Sequence, residues 1–123
     1  IEAVQRAAFS VIRPGVIGGE IYAVAEARLK QSKIKDHTDF LAHGMGLVTH
    51  EAPRLTGTGP VRYDGYDADK ALEQGMVVSV ETTLQHPRRG FIKLEDTVVI
   101  TPGGHEVYGE GARGWNRGGT AVR

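Results

Sequence analysis

A chain of 123 residues, 40% hydrophobic and 24% charged, is the size of one small domain with a single core. Its 15 basic and 15 acidic residues cancel, which removes the basic surface that nucleic acid or an anionic membrane would require. Cysteine is absent, so disulfides and thiolate metal sites are excluded, and no apolar run approaches the ~18 residues of a membrane helix. The expectation is a soluble, cytoplasmic protein with no nucleic-acid or membrane partner. The chain opens at Ile1 without methionine or signal-peptide pattern and enters directly into a helical pattern, so an N-terminal portion is expected to precede it.

Ile1, Val4, Ala7, Ala8, Val11 and Ile12 form one stripe at helical spacing, predicting a helix over 1–12 that Arg13-Pro14-Gly15 stops. A second helix is predicted over 20–31, with Ile21, Val24, Ala25 and Leu29 as its apolar face. Both helices read as scaffold. From Asp36 the character changes. The stretch HTDFLAHGMGLVTHEAPRL mixes histidines, breakers and apolar residues and fits neither a clean helix nor a clean strand. TGTGP and YDGYDAD then read as polar loop. Residues 75–83 are rich in β-branched side chains and predict a strand, PRRG at 87–90 a turn, and FIKLEDTVVIT a second strand. On that second strand Ile92, Leu94, Val98 and Ile100 share one face, with Lys93, Glu95 and Thr97 on the other. Pro102-Gly103-Gly104 is a further turn, and residues 109–123 form a glycine-rich tail after a unit covering 1–108.

The chemistry begins with two glutamates. Glu81 shares a strand face with Val77 and Ser79, and the midpoint between positions 81 and 95 falls at 88, inside the turn. A hairpin closed there would place Glu81 and Glu95 opposite each other, about 4.5–5.5 Å apart at Cβ. Two ionised carboxylates that close need a cation or a shared proton. A metal is one candidate, and Lys93 in a plain salt bridge on an exposed sheet face is the other. His43 and His50, seven residues apart around Gly44-Met45-Gly46, could add imidazole to an oxygen-rich site, the glycines letting the backbone approach closely. A hydrogen-bonded core histidine is the plainer account of either. The HE at 50–51 lacks the second histidine of the zinc-protease pattern. There is also no phosphate-binding loop and no nucleophile elbow, which leaves metal-activated water.

Taken together, AHGMGLVTHEAPRL at 42–55, LEQGMVVSVETTLQ at 72–85, FIKLEDTVVITPGGHEV at 91–107 and IRPGV at 12–16 resemble the ordered segments of the pita-bread metallopeptidases. That family holds methionine aminopeptidase, aminopeptidase P, prolidase and creatinase. The resemblance implies an α+β fold, the C-terminal portion of a pita-bread domain with two helices packed on a curved antiparallel sheet. It implies His43, Glu81 and Glu95 as metal ligands, with Glu81 also moving the proton, and His50 as the residue that contacts the substrate carbonyl. Such a site takes two divalent metal ions, manganese or cobalt foremost with zinc or iron as alternatives, about 3.5–4 Å apart.

Departures from the family pattern narrow the reading. Ala42 replaces a glycine, Gln74 a proline and Thr82 the proline after Glu81. These changes point away from methionine aminopeptidase and towards the Xaa-Pro peptidase and creatinase-like branch. The implied substrate is a peptide or small amide, and the intact protein is expected to be a homodimer. The family's two aspartate ligands have no counterpart here, since Asp36 and Asp39 sit in no matching motif. The chain alone is therefore expected to be inactive. A creatinase-like C–N hydrolase and a non-catalytic binding module are the alternatives. His37, Arg54, His86 and Trp115 are conceivable substrate contacts for which a solvated surface role is the plainer reading.

Overall fold

A computed structural model describes residues 1–56 and 64–109. The part of the polar loop at 57–63 and the tail from 110 onward, Trp115 included, lie outside the described residues. Two helices, α1 (Glu2–Phe9) and α2 (Gly18–Lys30), pack on a four-stranded antiparallel sheet. Its strands are β1 (Thr38–Gly44), β2 (Val77–His86), β3 (Gly90–Thr101) and β4 (Gly104–Val107), in that spatial order. This is the α+β arrangement expected from the sequence. No helix among the described residues is long and apolar enough to cross a membrane.

The first helix ends at Phe9, short of the expected Ile12. Val11 and Ile12 continue as a tighter turn, donating to the carbonyls of Ala8 and Phe9, because the residue before Pro14 is pushed out of helical geometry. The stripe still works: Val4, Ala8 and Ile12 are buried. The second helix starts two residues earlier than predicted, at Gly18, where the Glu20 carboxylate accepts the Ile17 N–H at 3.2 Å. Its fully covered face is Gly18, Ile21, Tyr22 and Ala25, while Val24 and Leu29 are only half-buried.

Alternation divides the sheet into two faces. Phe40, Ala42, Val78, Val80, Val98 and Ile100 turn towards the helices and form the core with Val4, Ala8, Ile21 and Ala25. Leu41, His43, Ser79, Glu81, Lys93 and Glu95, offset by one, occupy the opposite face. Beyond the helices this pattern thins, and Ile92, on the same strand face as the buried Val98 and Ile100, is exposed near the hairpin tip.

Two polar side chains fix the strands that carry the site. Gln5, fully buried in α1, donates from Nε2 to the Val80 carbonyl at 2.9 Å, next to Glu81. Tyr22 of α2 reaches β1. Its hydroxyl accepts the Ala42 N–H at 2.9 Å and donates to the Ala42 carbonyl at 3.2 Å. Tyr22 also packs edge-on against Phe40, with ring centroids 5.1 Å apart. Both backbone bonds are buried, so Tyr22→Phe is expected to destabilise the protein by about 1–3 kcal/mol. Chemical denaturation of the variant beside wild type checks this; an unchanged midpoint would mean that the hydroxyl contributes nothing.

Candidate metal centre

The hairpin register is the one that the midpoint at 88 predicts: Glu81 pairs directly with Glu95, Ser79 with Thr97 and Thr83 with Lys93. On the other side of β2, Leu41 pairs with Glu81 and His43 with Ser79. His43, Glu81 and Glu95 thus come from three adjacent strands onto one face. The segment around His43 departs from the expected irregular reading, because residues 38–44 form a regular strand. Six of its seven residues are buried, so neither face leaves the polar alternation that marks a half-exposed strand.

The glycine after His43 has a physical task. A Cβ on Gly44 would run into the Ala52 carbonyl and the Pro53 nitrogen. The bare backbone allows Gly44 N–H to donate to the Pro53 carbonyl at 2.8 Å and the Gly44 carbonyl to accept the Glu51 N–H at 3.1 Å. Loop 45–53 is thereby folded back onto the end of β1, and the exposed His50 ring lies over His43, with centroids 4.0 Å apart and planes inclined by 26°.

His43 is 1% exposed. Its Nδ1 lies 3.0 Å from the Gly44 carbonyl, which can only accept, so Nδ1 carries a proton and Nε2 is the ring nitrogen left to face the site. That Nε2 is buried and has no hydrogen-bond partner among the described residues. It faces Glu81 Oε1 at 4.0 Å and Glu95 Oε1 at 3.9 Å, too far for hydrogen bonds. His43 Nε2, Glu81 Oε1 and Glu95 Oε1 thus converge on one point, with Glu95 Oε1 also accepting the Ser79 hydroxyl, a set of donor atoms that a cation could join. Ligand atoms of His43, His50 and Glu81 also lie within 4.8 Å of one another, which makes His50 a geometric rival to Glu95 for the third position.

The lysine competitor is present too, on a face that is exposed at Lys93 and Glu95 and closed at Glu81. Lys93 Nζ donates to Glu81 Oε2 and, at 2.9 Å, to Glu95 Oε2, and the Glu81 side chain is only 7% exposed. These two hydrogen bonds raise the Lys93 pKa above the ordinary lysine value. For Glu95, burial pushes the pKa up, but hydrogen bonds from Lys93 and Ser79 outweigh it and hold the carboxyl below the usual glutamate range. Ser79 is a site residue that sequence reasoning left out: its hydroxyl donates to Glu95 Oε1 at 2.6 Å and orients that carboxylate. Its position two before Glu81 on the same strand face was the available signal.

The other conceivable contacts have structural tasks. Arg54 lies over the Tyr66 ring at 5.5 Å, and its backbone N–H donates to Asp67 at 2.8 Å. His86 Nδ1 accepts the N–H groups of Arg88 and Arg89 and so caps the hairpin turn. His37 is exposed in a short 3-10 turn.

Known proteins resemble this chain in sequence and in fold. The sequence profile of metallopeptidase family M24 matches residues 1–102. An Xaa-Pro dipeptidase of Pyrococcus furiosus is 33% identical over 101 residues, 81% of this chain and 26% of that protein. A probable dipeptidase PepE of Mycobacterium bovis is 31% identical over 105 residues, 85% of this chain and 26% of its own length. The solved Xaa-Pro dipeptidase from Bacillus anthracis superposes with a TM-score of 0.68 at 29% identity, covering 87% of this chain and 28% of that one. A methionine aminopeptidase from Rickettsia prowazekii, 21% identical with a TM-score of 0.56, shares the fold. The chain thus spans about a quarter of the length of the dipeptidases it matches. With its profile matched from Ile1 to Pro102 and its helices and sheet superposing on solved dipeptidases, the chain belongs to metallopeptidase family M24, within its pita-bread fold and on the prolidase side.

Proposed function

We propose that the protein carrying this chain is a metal-dependent hydrolase of Xaa-Pro peptides, an aminopeptidase or dipeptidase, and that His43, Glu81 and Glu95 are this chain's share of the ligands to two divalent cations. The observation that carries the reading is the buried Nε2 of His43, without a hydrogen-bond partner among the described residues and facing two carboxylates. One imidazole and two carboxylates form a donor set suited to manganese or cobalt, with zinc or iron also able to use it. Two aspartates from sequence outside these 123 residues complete the set. The dipeptidase names of the relatives favour a peptide over a creatine-like amide.

When bound, the cations would supply a water of lowered pKa and polarise the scissile carbonyl. The chain's own residues do the rest. Glu81 holds the proton removed from water at a carboxylate oxygen and returns it to the leaving nitrogen. His50, stacked on His43 but open to solvent, donates from a ring N–H to the substrate carbonyl oxygen. Ser79 orients the Glu95 carboxylate through its 2.6 Å hydrogen bond.

The test is hydrolysis of Xaa-Pro dipeptides and of longer peptides with proline second, before and after chelation and with Mn2+ restored. Cleavage should vanish with chelator and return with metal. His50→Ala should lower kcat by about 100-fold, the scale of losing one oxyanion donor, while Mn2+ affinity is retained. Chelator-resistant cleavage, or no cleavage of any Xaa-Pro peptide, would refute the reading.

A further inference from the structure

The carboxylate oxygens of the site are divided between two sides. Oε1 of Glu81 and Oε1 of Glu95 face His43, whereas Oε2 of both is held by Lys93. We propose that Lys93 is a built-in counter-ion, which holds the outer oxygens of the glutamate pair when no metal is present and must leave them before a cation can use those oxygens. The proposal rests on the metal-site reading above and assigns a task to a residue that the reading leaves idle.

Three features of the structure carry it. Glu81 and Glu95 are direct cross-strand partners, so two negative charges sit at the shortest spacing a sheet offers, and one of them is almost wholly buried. A single ammonium compensates both, because Lys93 is the strand neighbour of Glu95 on the same face and sits diagonally across from Glu81. Finally, the lysine reaches in from the solvent side. Its side chain is 39% exposed against 7% for Glu81, and its four-carbon stem can swing the ammonium into water without disturbing the sheet. An exposed lysine–carboxylate pair contributes little. Here one partner is buried, so the ammonium replaces solvation that Glu81 lacks. A divalent cation approaching the Oε2 side meets this ammonium as competitor, while on the Oε1 side towards His43 the neighbour is the neutral Ser79 hydroxyl, which donates to Glu95 Oε1 at 2.6 Å.

The experiment uses the protein that carries this chain, stripped with chelator and titrated with Mn2+ alone by calorimetry, with melting temperatures recorded in chelator and in saturating Mn2+. Lys93→Met should tighten the weakest Mn2+ step at least tenfold, or add an equivalent that wild type lacks, and should lower the melting temperature of the stripped protein. Lys93→Arg keeps the charge and should stay within threefold of wild type. If Lys93→Met folds only with Mn2+, that is the same effect at its extreme. Unchanged or weaker Mn2+ binding in Lys93→Met, or a variant that folds in neither condition, would overturn the proposal, since Lys93 would then support the site or the sheet. Wild-type binding that His43→Leu abolishes, with Lys93→Met unaltered, sinks the counter-ion alone. Absence of His43-dependent binding in both wild type and Lys93→Met sinks the metal reading with it.

Discussion

His43→Leu should weaken Mn2+ binding by more than about 100-fold and leave the metal-free protein as stable as wild type or more so. Losing a residue that merely orients a ligand already costs 10–100-fold in affinity, and His43 is argued to be a ligand itself. The stability half of the expectation follows from the surroundings. Leucine fills much of the same buried volume and removes a nitrogen that has no partner among the described residues. The Gly44 carbonyl that loses the Nδ1–H still accepts the Glu51 N–H. Calorimetric titration and a melt in chelator measure the two halves. A core histidine kept for packing would show the reverse pattern, with metal binding intact and the melting temperature lowered.

Gly44→Ala should be among the most damaging small substitutions in the chain. The added methyl meets backbone, the Ala52 carbonyl and the Pro53 nitrogen, which cannot rotate away as a side chain could. Overpacking of this kind costs about 1–3 kcal/mol, and the strand-to-loop bridge between Gly44 and Glu51 must open to accommodate it. At about 2–8 °C per kcal/mol, the range for domains of about 60 to 250 residues, the melting temperature should fall by several degrees. His50 should also lose its place over His43. Gly103→Ala is the control, because nothing lies within 4 Å of its added Cβ. Equal melting temperatures for the two variants would show that the loop moves freely and that Gly44 is not required for the fold-back.

Much of the site was legible because a hairpin is a local object. Once PRRG is taken as the turn, the pairing of Glu81 with Glu95 follows by counting, since a one-residue slip would send every side chain to the other face. The resemblance of the flanking segments supplied His43, which no counting would have joined to them. Other elements were hidden for physical reasons. Strand β1 carries no alternation because it is covered on both faces. The four-residue β4 is too short for any period to register, and it followed a segment read only as a turn. Tyr22 and Gln5 looked like ordinary helix residues, because their partners are backbone groups 20 and 75 positions away. Lys93 was read as an alternative to a metal site; it takes Oε2 of both carboxylates, whereas Oε1 of both faces His43.

The central claim, that His43 Nε2 binds the cation, can be read directly from pulsed electron paramagnetic resonance of the Mn2+-loaded protein. The account predicts coupling to one coordinated imidazole nitrogen, present in wild type and His50→Ala and absent in His43→Leu. No nitrogen coupling at all, or a coupling that disappears with His50 instead, would contradict it.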